Sequence, residues 1–392
     1  MKNYDFDTLI NRRGAGAAKW EMMYREKPEV DAGIVPLSVA DMEFPAAPEI
    51  RAALKAYIDG QIPGYASAPS GYLESVCAFF QRRHGVKAAP EELIQTPGIV
   101  YALPRAIRAL SAPGEGVIIM TPVYYPFYRA IRNTERVVAS CPLRYEAGRY
   151  EIDFQLLEEL ALRPENTVLL LCSPHNPVGR VWTAAEIHRI AEICLRGNLS
   201  VIADEIHWDL TFPGHPHVSF GTLEGELAER TILCTAPSKT FNLAGLNQSN
   251  LLVRNEGLRR RLLGLLRADA TPMQSPLGYV ACQTAYEQCD GWLEALLAYL
   301  DENRRYVASY IGEQIPALYA VPLEGTYLQW VDCRGLGLEP EALKARMQAH
   351  DLFFDEGSLF GAEGDGFERI NLACPRTVLA GAMERLKAAA ED

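Results

Sequence analysis

The chain has 392 residues, 48% of them hydrophobic and 22% charged, with a formal net charge of −12. That length accommodates one large and one smaller domain, and the acidic balance argues against nucleic acid or an anionic membrane surface as a partner, since both require clustered positive charge. Phosphate on a small cofactor stays open, because backbone N–H groups hold it without net charge.

Residues 1 to about 45 read as an irregular arm rich in charge and glycine, associated with a small domain and ending in Ser38-Val39-Ala40-Asp41-Met42-Glu43-Phe44-Pro45. The first residues, Met1 to Asp7, contain no apolar signal segment, and no run reaches transmembrane length. Nine scattered cysteines include no C-x-x-C pair, and the odd count argues against a disulfide framework. A reduced, cytoplasmic setting is expected.

From residue 46 to 285, short apolar runs alternate with helical patterns. Strands are expected at Glu92–Gln95, Gly116–Met120, Thr167–Cys172, Leu199–Ala203, Thr231–Cys234 and Asn250–Val253. Helices are expected at Tyr101–Leu110, Phe127–Arg132 and Ala184–Arg196. This alternation predicts an α/β domain with a mostly parallel, buried sheet. A long helical stretch from about Ser275 to Ile315 follows, with Trp292, Leu293, Leu296, Leu297 and Leu300 at helical steps. A strand-like Gly325–Val331 and a last helix from about Thr377 complete a smaller α+β domain over 286–392.

In open α/β sheets, ligands gather outside the carboxyl ends of the strands. The residues just past the apolar runs are therefore informative. They are Thr96-Pro97-Gly98-Ile99-Val100, Ser173-Pro174-His175-Asn176-Pro177, Asp204-Glu205-Ile206-His207 and Ser238-Lys239. Taken alone, Asn176-Pro177 is a turn, Asp204 a cap or surface acid, Gly98 a tight turn and Lys239 a solvated lysine in the loop that Pro237 opens. Together they match the needs of pyridoxal phosphate. Its aldehyde takes a lysine as a Schiff base, and its ring nitrogen needs an acid to stay protonated. Its phenolate oxygen takes an amide donor, and its phosphate suits a helix N-terminus.

Further motifs carry a resemblance along nearly the whole chain. They include Phe6-Asp7, Asn11-Arg12-Arg13-Gly14, Lys19-Trp20, Val39 to Phe44, Gly64-Tyr65 and Pro122-Val123-Tyr124. They continue through Pro174 to Arg180, Asp204 to His207, Ser238 to Asn242, Glu324 to Tyr327 and Phe367 to Arg376. The sequence resembles the fold-type-I pyridoxal-phosphate enzymes, and within them the MalY/PatB-type cystathionine β-lyases, which are class I/II aminotransferase-like.

The resemblance implies a large cofactor-binding domain and a small one. It implies that Lys239 carries the cofactor and moves protons, that Asp204 pairs with the ring nitrogen, and that Asn176 donates to the phenolate oxygen with His207 beside it. Tyr124 would stack on the ring, and Gly98, Ile99 and Ser238 would hold the phosphate, with Tyr65 reaching in from the partner of a homodimer as a further catalytic-site residue. Arg369 would pair with the substrate α-carboxylate, where a bidentate fork fits best. One departure stands out: many aminotransferases carry a phosphate-binding arginine shortly after the lysine, and here that stretch reads Leu246-Asn247-Gln248.

The expected reaction is β-elimination from cystathionine or a cysteine S-conjugate, with Lys239 removing the Cα proton and a thiol leaving from Cβ. The resulting aminoacrylate hydrolyses to pyruvate and ammonia. An aminotransferase would use the same residues, and a regulatory protein that keeps the fold but acts by binding a partner is the alternative of another class. Gly14-Ala15-Gly16 is no dinucleotide fingerprint, lacking a third glycine and a preceding strand. His215 and His217 read as a solvated loop rather than a metal site, and Arg259-Arg260-Arg261 as a solvated helix face.

Overall fold

The computed structural model describes residues 4–392; Met1, Lys2 and Asn3, the start of the stretch read for a signal segment, lie outside them. Nine strands come first. They are β1 (Leu93–Thr96), β2 (Gly116–Thr121), β3 (Val137–Pro142), the hairpin β4 (Arg144–Glu146) and β5 (Arg149–Glu151), β6 (Asn166–Cys172), β7 (Ser200–Asp204), β8 (Thr231–Thr235) and β9 (Ser249–Leu252). Seven of them form one sheet in the order β1-β9-β8-β7-β6-β2-β3. Only β9 runs against the rest, so the carboxyl ends of β1, β2, β6, β7 and β8 open on one side.

The central strands are buried on both faces, which is why they read as continuous apolar runs. Successive side chains alternate between two cores. Leu169, Leu171, Val201, Ala203 and Leu233 enter one; Val168, Leu170, Ile202, Ile232 and Cys234 enter the other. A second, antiparallel sheet has the order β10 (Tyr319–Ala320), β11 (Leu328–Asp332), β13 (Phe367–Asn371) and β12 (Asp355–Glu356). The expected strand from Gly325 begins only at Leu328, because Thr326 takes a left-handed φ of 70° and turns the chain first.

Two expectations are corrected here. The arm is not wholly irregular: Ala18–Glu26 is a helix that buries Trp20 and Met23. The stretch from Ser275 to Ile315 is two helices, Pro276–Gln288 and Asp290–Gln314, separated by Cys289 at φ −110° and ψ 17°. The arm then runs between the sheets. Asn371 on β13 donates to the carbonyls of Val39 and Asp41 at 2.7 and 2.9 Å, and Asn242, just past the β8 end, donates to those of Met42 and Phe44 at 3.1 and 2.8 Å. Residues 38–44 thus form a strap held from both sides.

Ile202 on β7 is fully buried. Ile202→Ala is expected to lower unfolding stability by roughly 2–5 kcal/mol, read from urea denaturation; a loss below about 0.5 kcal/mol would show that the sheet centre is loosely packed.

Candidate active site

Pro237 opens a single helical turn, Pro237–Thr240, directly after β8, so Lys239 stands on a helix rather than in the expected loop. Proline suits that first position because its fixed φ is already helical. The Lys239 Nζ donates to the carbonyl of Ala40 at 2.6 Å. Burial lowers its pKa to about 8, against the opposing pull of Asp41. An amine tuned this close to neutrality is available as nucleophile and base.

Asp204 ends β7 and is buried, accepting one backbone hydrogen bond from Ile206 at 3.2 Å. Burial pushes its pKa up to about 7. The Ile206 hydrogen bond and the charge of Lys239 in the same cavity offset that burial only in part. Asn176 follows β6. Its Oδ1 accepts from Nη1 of Arg369 at 2.7 Å, which fixes the amide orientation and leaves the NH2 as the donor for the cavity it lines. Arg369 sits on β13 opposite Asp355 of β12, and the two form a buried ion pair. His207 is buried beside them. Burial, then the charges of Lys239 and Arg369, holds it well below its usual pKa, so the imidazole is neutral.

At the other end of the cavity, the helix Ile99–Leu110 begins without a side-chain cap. Gly98 precedes it at φ 105°, a conformation that L side chains rarely adopt, with open space where a Cβ would stand. The Gly98 N–H is spent on Ser249 Oγ at 3.2 Å, so the N–H groups of the first helical turn are the free donors. Ser238 adds a hydroxyl to the same wall. Among the described residues lining this cavity of about 210 Å³, Lys239 is the only cationic side chain.

These features fit pyridoxal phosphate. A buried acid whose pKa is raised by burial suits a protonated ring nitrogen, and an amide with its NH2 free suits the phenolate oxygen. His207 Nδ1 and Arg369 Nε are buried without partners among the described residues, which a polar ligand would relieve. An uncapped helix N-terminus suits a phosphate even without a nearby arginine.

Gly98, Ile99, Tyr124, Asn176, Asp204, His207, Ser238 and Lys239 all line the one cavity, and Arg369 is a single hydrogen bond from it. Tyr65 is not among its lining residues and is 96% exposed. Several supporting residues were given no role by the sequence. Asp355 pairs with Arg369 and accepts from the Val39 N–H at 2.8 Å. Tyr327 donates to the Ala40 carbonyl at 3.0 Å. Behind the lysine, Thr240 donates to Asp209 at 2.7 Å, and Asp209 meets His84 at 2.9 Å. Burial alone would raise Asp209, but His84 and Thr240 hold it below the usual carboxylate range. The spacing of Asp209 after Asp204 was the one available hint. His217 corrects an expectation: its side chain is buried rather than solvated, because Glu205 turns inward and meets its Nε2 at 2.9 Å.

A lysine held largely away from water destabilises the protein that carries it. The folded pKa of about 8 lies below the ordinary 10.5, so the folded state bears a buried charge below pH 8 and sheds it as pH rises toward 10.5. Lys239→Met is expected to stabilise the ligand-free protein at neutral pH by on the order of 1–3 kcal/mol, with a gain that shrinks through that alkaline window. Urea unfolding across the window measures it; a variant no more stable than its parent at neutral pH would contradict the buried charge.

A profile of the family described as aminotransferase class I and II matches residues 32–386. Cystathionine β-lyase PatB of Bacillus subtilis (strain 168) is 34% identical over 386 residues, covering 98% of this chain and 99% of that one. The crystal structure of cystalysin from Treponema denticola, which contains pyridoxal 5'-phosphate, superposes with a TM-score of 0.98 at 44% identity over the whole of both chains. A pyridoxal-phosphate-bound C–S lyase from Staphylococcus hominis, complexed with L-cycloserine, superposes with a TM-score of 0.91 at 30% identity, covering 99% of this chain and 98% of that one. With the match spanning both sheets and the cavity at the carboxyl ends of the larger one, the chain belongs to the class I and II aminotransferase family.

Proposed function

We propose that the protein is a pyridoxal-phosphate-dependent C–S lyase, which cleaves cystathionine or a cysteine S-conjugate into a thiol, pyruvate and ammonia. The observation that carries this reading is a lysine tuned to about 8 that shares one cavity with a buried Asp204 raised to about 7, in a chain so similar to a cystathionine β-lyase. When bound, the cofactor supplies the electron sink that makes loss of a Cα proton feasible.

The residues divide the remaining work. Lys239 holds the cofactor at rest, and its freed Nζ takes the Cα proton of the amino acid. Asp204 keeps a proton on the ring nitrogen, and Asn176 donates its amide N–H to the ring oxygen with neutral His207 beside it. Tyr124 would lay its ring along the cofactor; its backbone N–H donates to the Asn176 carbonyl at 3.1 Å, which ties the two residues together. The first turn of the helix at Ile99 and the Ser238 hydroxyl hold the phosphate. Arg369, fixed by Asp355, holds the α-carboxylate. The same proposal includes a homodimer in which the exposed Tyr65 completes the partner's site, a cytoplasmic setting, and a division into arm (1–45), large domain (46–285) and small domain (286–392). The seven-stranded and four-stranded sheets fall within the last two ranges, which supports that division.

Pyruvate release from L-cystathionine with no keto-acid acceptor present tests the reaction. The wild-type protein is expected to release it, and Lys239→Ala to lose about 10²–10⁴-fold or more in turnover. Transfer of the amino group to an added keto acid, with no pyruvate formed in its absence, would make the protein an aminotransferase instead.

A further inference from the structure

A second cavity, of about 550 Å³, adjoins the first and shares Ala40, Lys239 and Ala244 with it. It therefore opens on the same amine from another side. Much of its wall is apolar, including Ile10, Met42 and Phe44.

The charged groups on and just behind that wall are arranged in two tiers. Lys19, only 1% exposed, binds Glu43 at 2.7 Å and also donates to the Asp41 carbonyl at 2.7 Å. That inner pair neutralises itself. The outer pair is Arg12 and Asp41, joined at 2.7 Å, with side chains 25% and 23% exposed. Arg12 spends Nη1 on Glu43 and the Met42 carbonyl and Nη2 on Asp41. Its Nε makes no hydrogen bond among the described residues, and neither does Oδ1 of Asp41. The wall thus offers spare donors on Arg12, at Nε and the second Nη2 hydrogen, beside a spare acceptor on Asp41, with a buried, unpartnered Oε2 of Glu43 behind them; the Arg12–Asp41 pair itself carries no net charge. A simple anion or cation gains from one and is repelled by the other; a head carrying both an ammonium and a carboxylate gains from both.

From this geometry we infer that the second cavity receives the part of the substrate beyond sulfur, and that Arg12 and Asp41 select leaving thiols that carry their own amino-acid head. The inference rests on the proposed lyase reading and narrows its substrate class. The apolar wall takes the methylenes, and the Arg12–Asp41 pair takes the zwitterion at their end. Cystathionine has such a head on the far side of its sulfur; S-ethyl-L-cysteine does not.

The test compares the holoenzyme with Arg12→Met and Arg12→Gln, measuring kcat and KM for both substrates by pyruvate release. The visible absorbance of each variant reports cofactor loading. Each variant is expected to lose about tenfold or more in kcat/KM for L-cystathionine, mainly through KM, while S-ethyl-L-cysteine changes by less than about twofold and the absorbance is unchanged. Equal losses for both substrates would mean that the pair only anchors the strap, and no loss for either would mean that the head binds elsewhere; each overturns the inference. A wild-type enzyme that releases pyruvate from neither substrate removes the lyase reading, and this inference with it. The S-ethyl-L-cysteine rate also separates a misfolded variant from a selective one.

Discussion

The carbonyl of Ala40 is where three parts of the chain meet. It accepts from Lys239 at the end of the large sheet and from Tyr327 at the edge of the small one, and it belongs to the strap between them. A partly buried lysine needs such an acceptor, because an ammonium without partners is costly away from water. The strap is locked to provide it. Val39 takes a left-handed φ of 56°, which a β-branched residue adopts only under constraint. The constraint is visible: its N–H is held by Asp355 and its carbonyl by Asn371. The position of the Lys239 amine therefore depends on residues from every part of the molecule.

The electrostatics of the cavity follow from burial more than from pairing. Asp204 is raised to about 7 and Lys239 lowered to about 8, so at neutral pH both are held close to the point where a proton changes hands. Neutral His207 adds no charge between them. Arg369 is different, since Asp355 and the Asn176 amide fix it in place. A rigid fork beside a poised amine suits the proposed reading, in which the carboxylate orients an amino acid while the proton on Cα is removed. At the far end of the cavity no arginine is among the described lining residues, and the helix at Ile99 begins uncapped, which suits the proposed phosphate site.

Much of this was legible before any coordinates. The central strands announced themselves because burial on both faces leaves no polar position to interrupt the apolar run. The residues at their carboxyl ends, Gly98, Asn176, Asp204 and Lys239, were then located by counting forward from each run, and all line one cavity. Elements with mixed environments were harder. The edge strand β3 is half exposed and shows no run, and the short helix Ala18–Glu26 is masked by the charge and glycine around it. Long-range partners had no local signature: Asp355 is 14 residues from Arg369, and Ala40 is 199 residues from Lys239. The buried state of His217 was hidden for the same reason, since only the fold brings Glu205 against it.

Borohydride reduction of the holoprotein, followed by peptide mapping, tests the role of Lys239 most directly, because reduction fixes the cofactor covalently on the lysine that holds it. The cofactor is expected on the peptide containing Ser238-Lys239-Thr240 and on no other. Its recovery on a different lysine, or a protein that takes up no cofactor at all, would contradict the reading of Lys239 as the residue on which the chemistry turns.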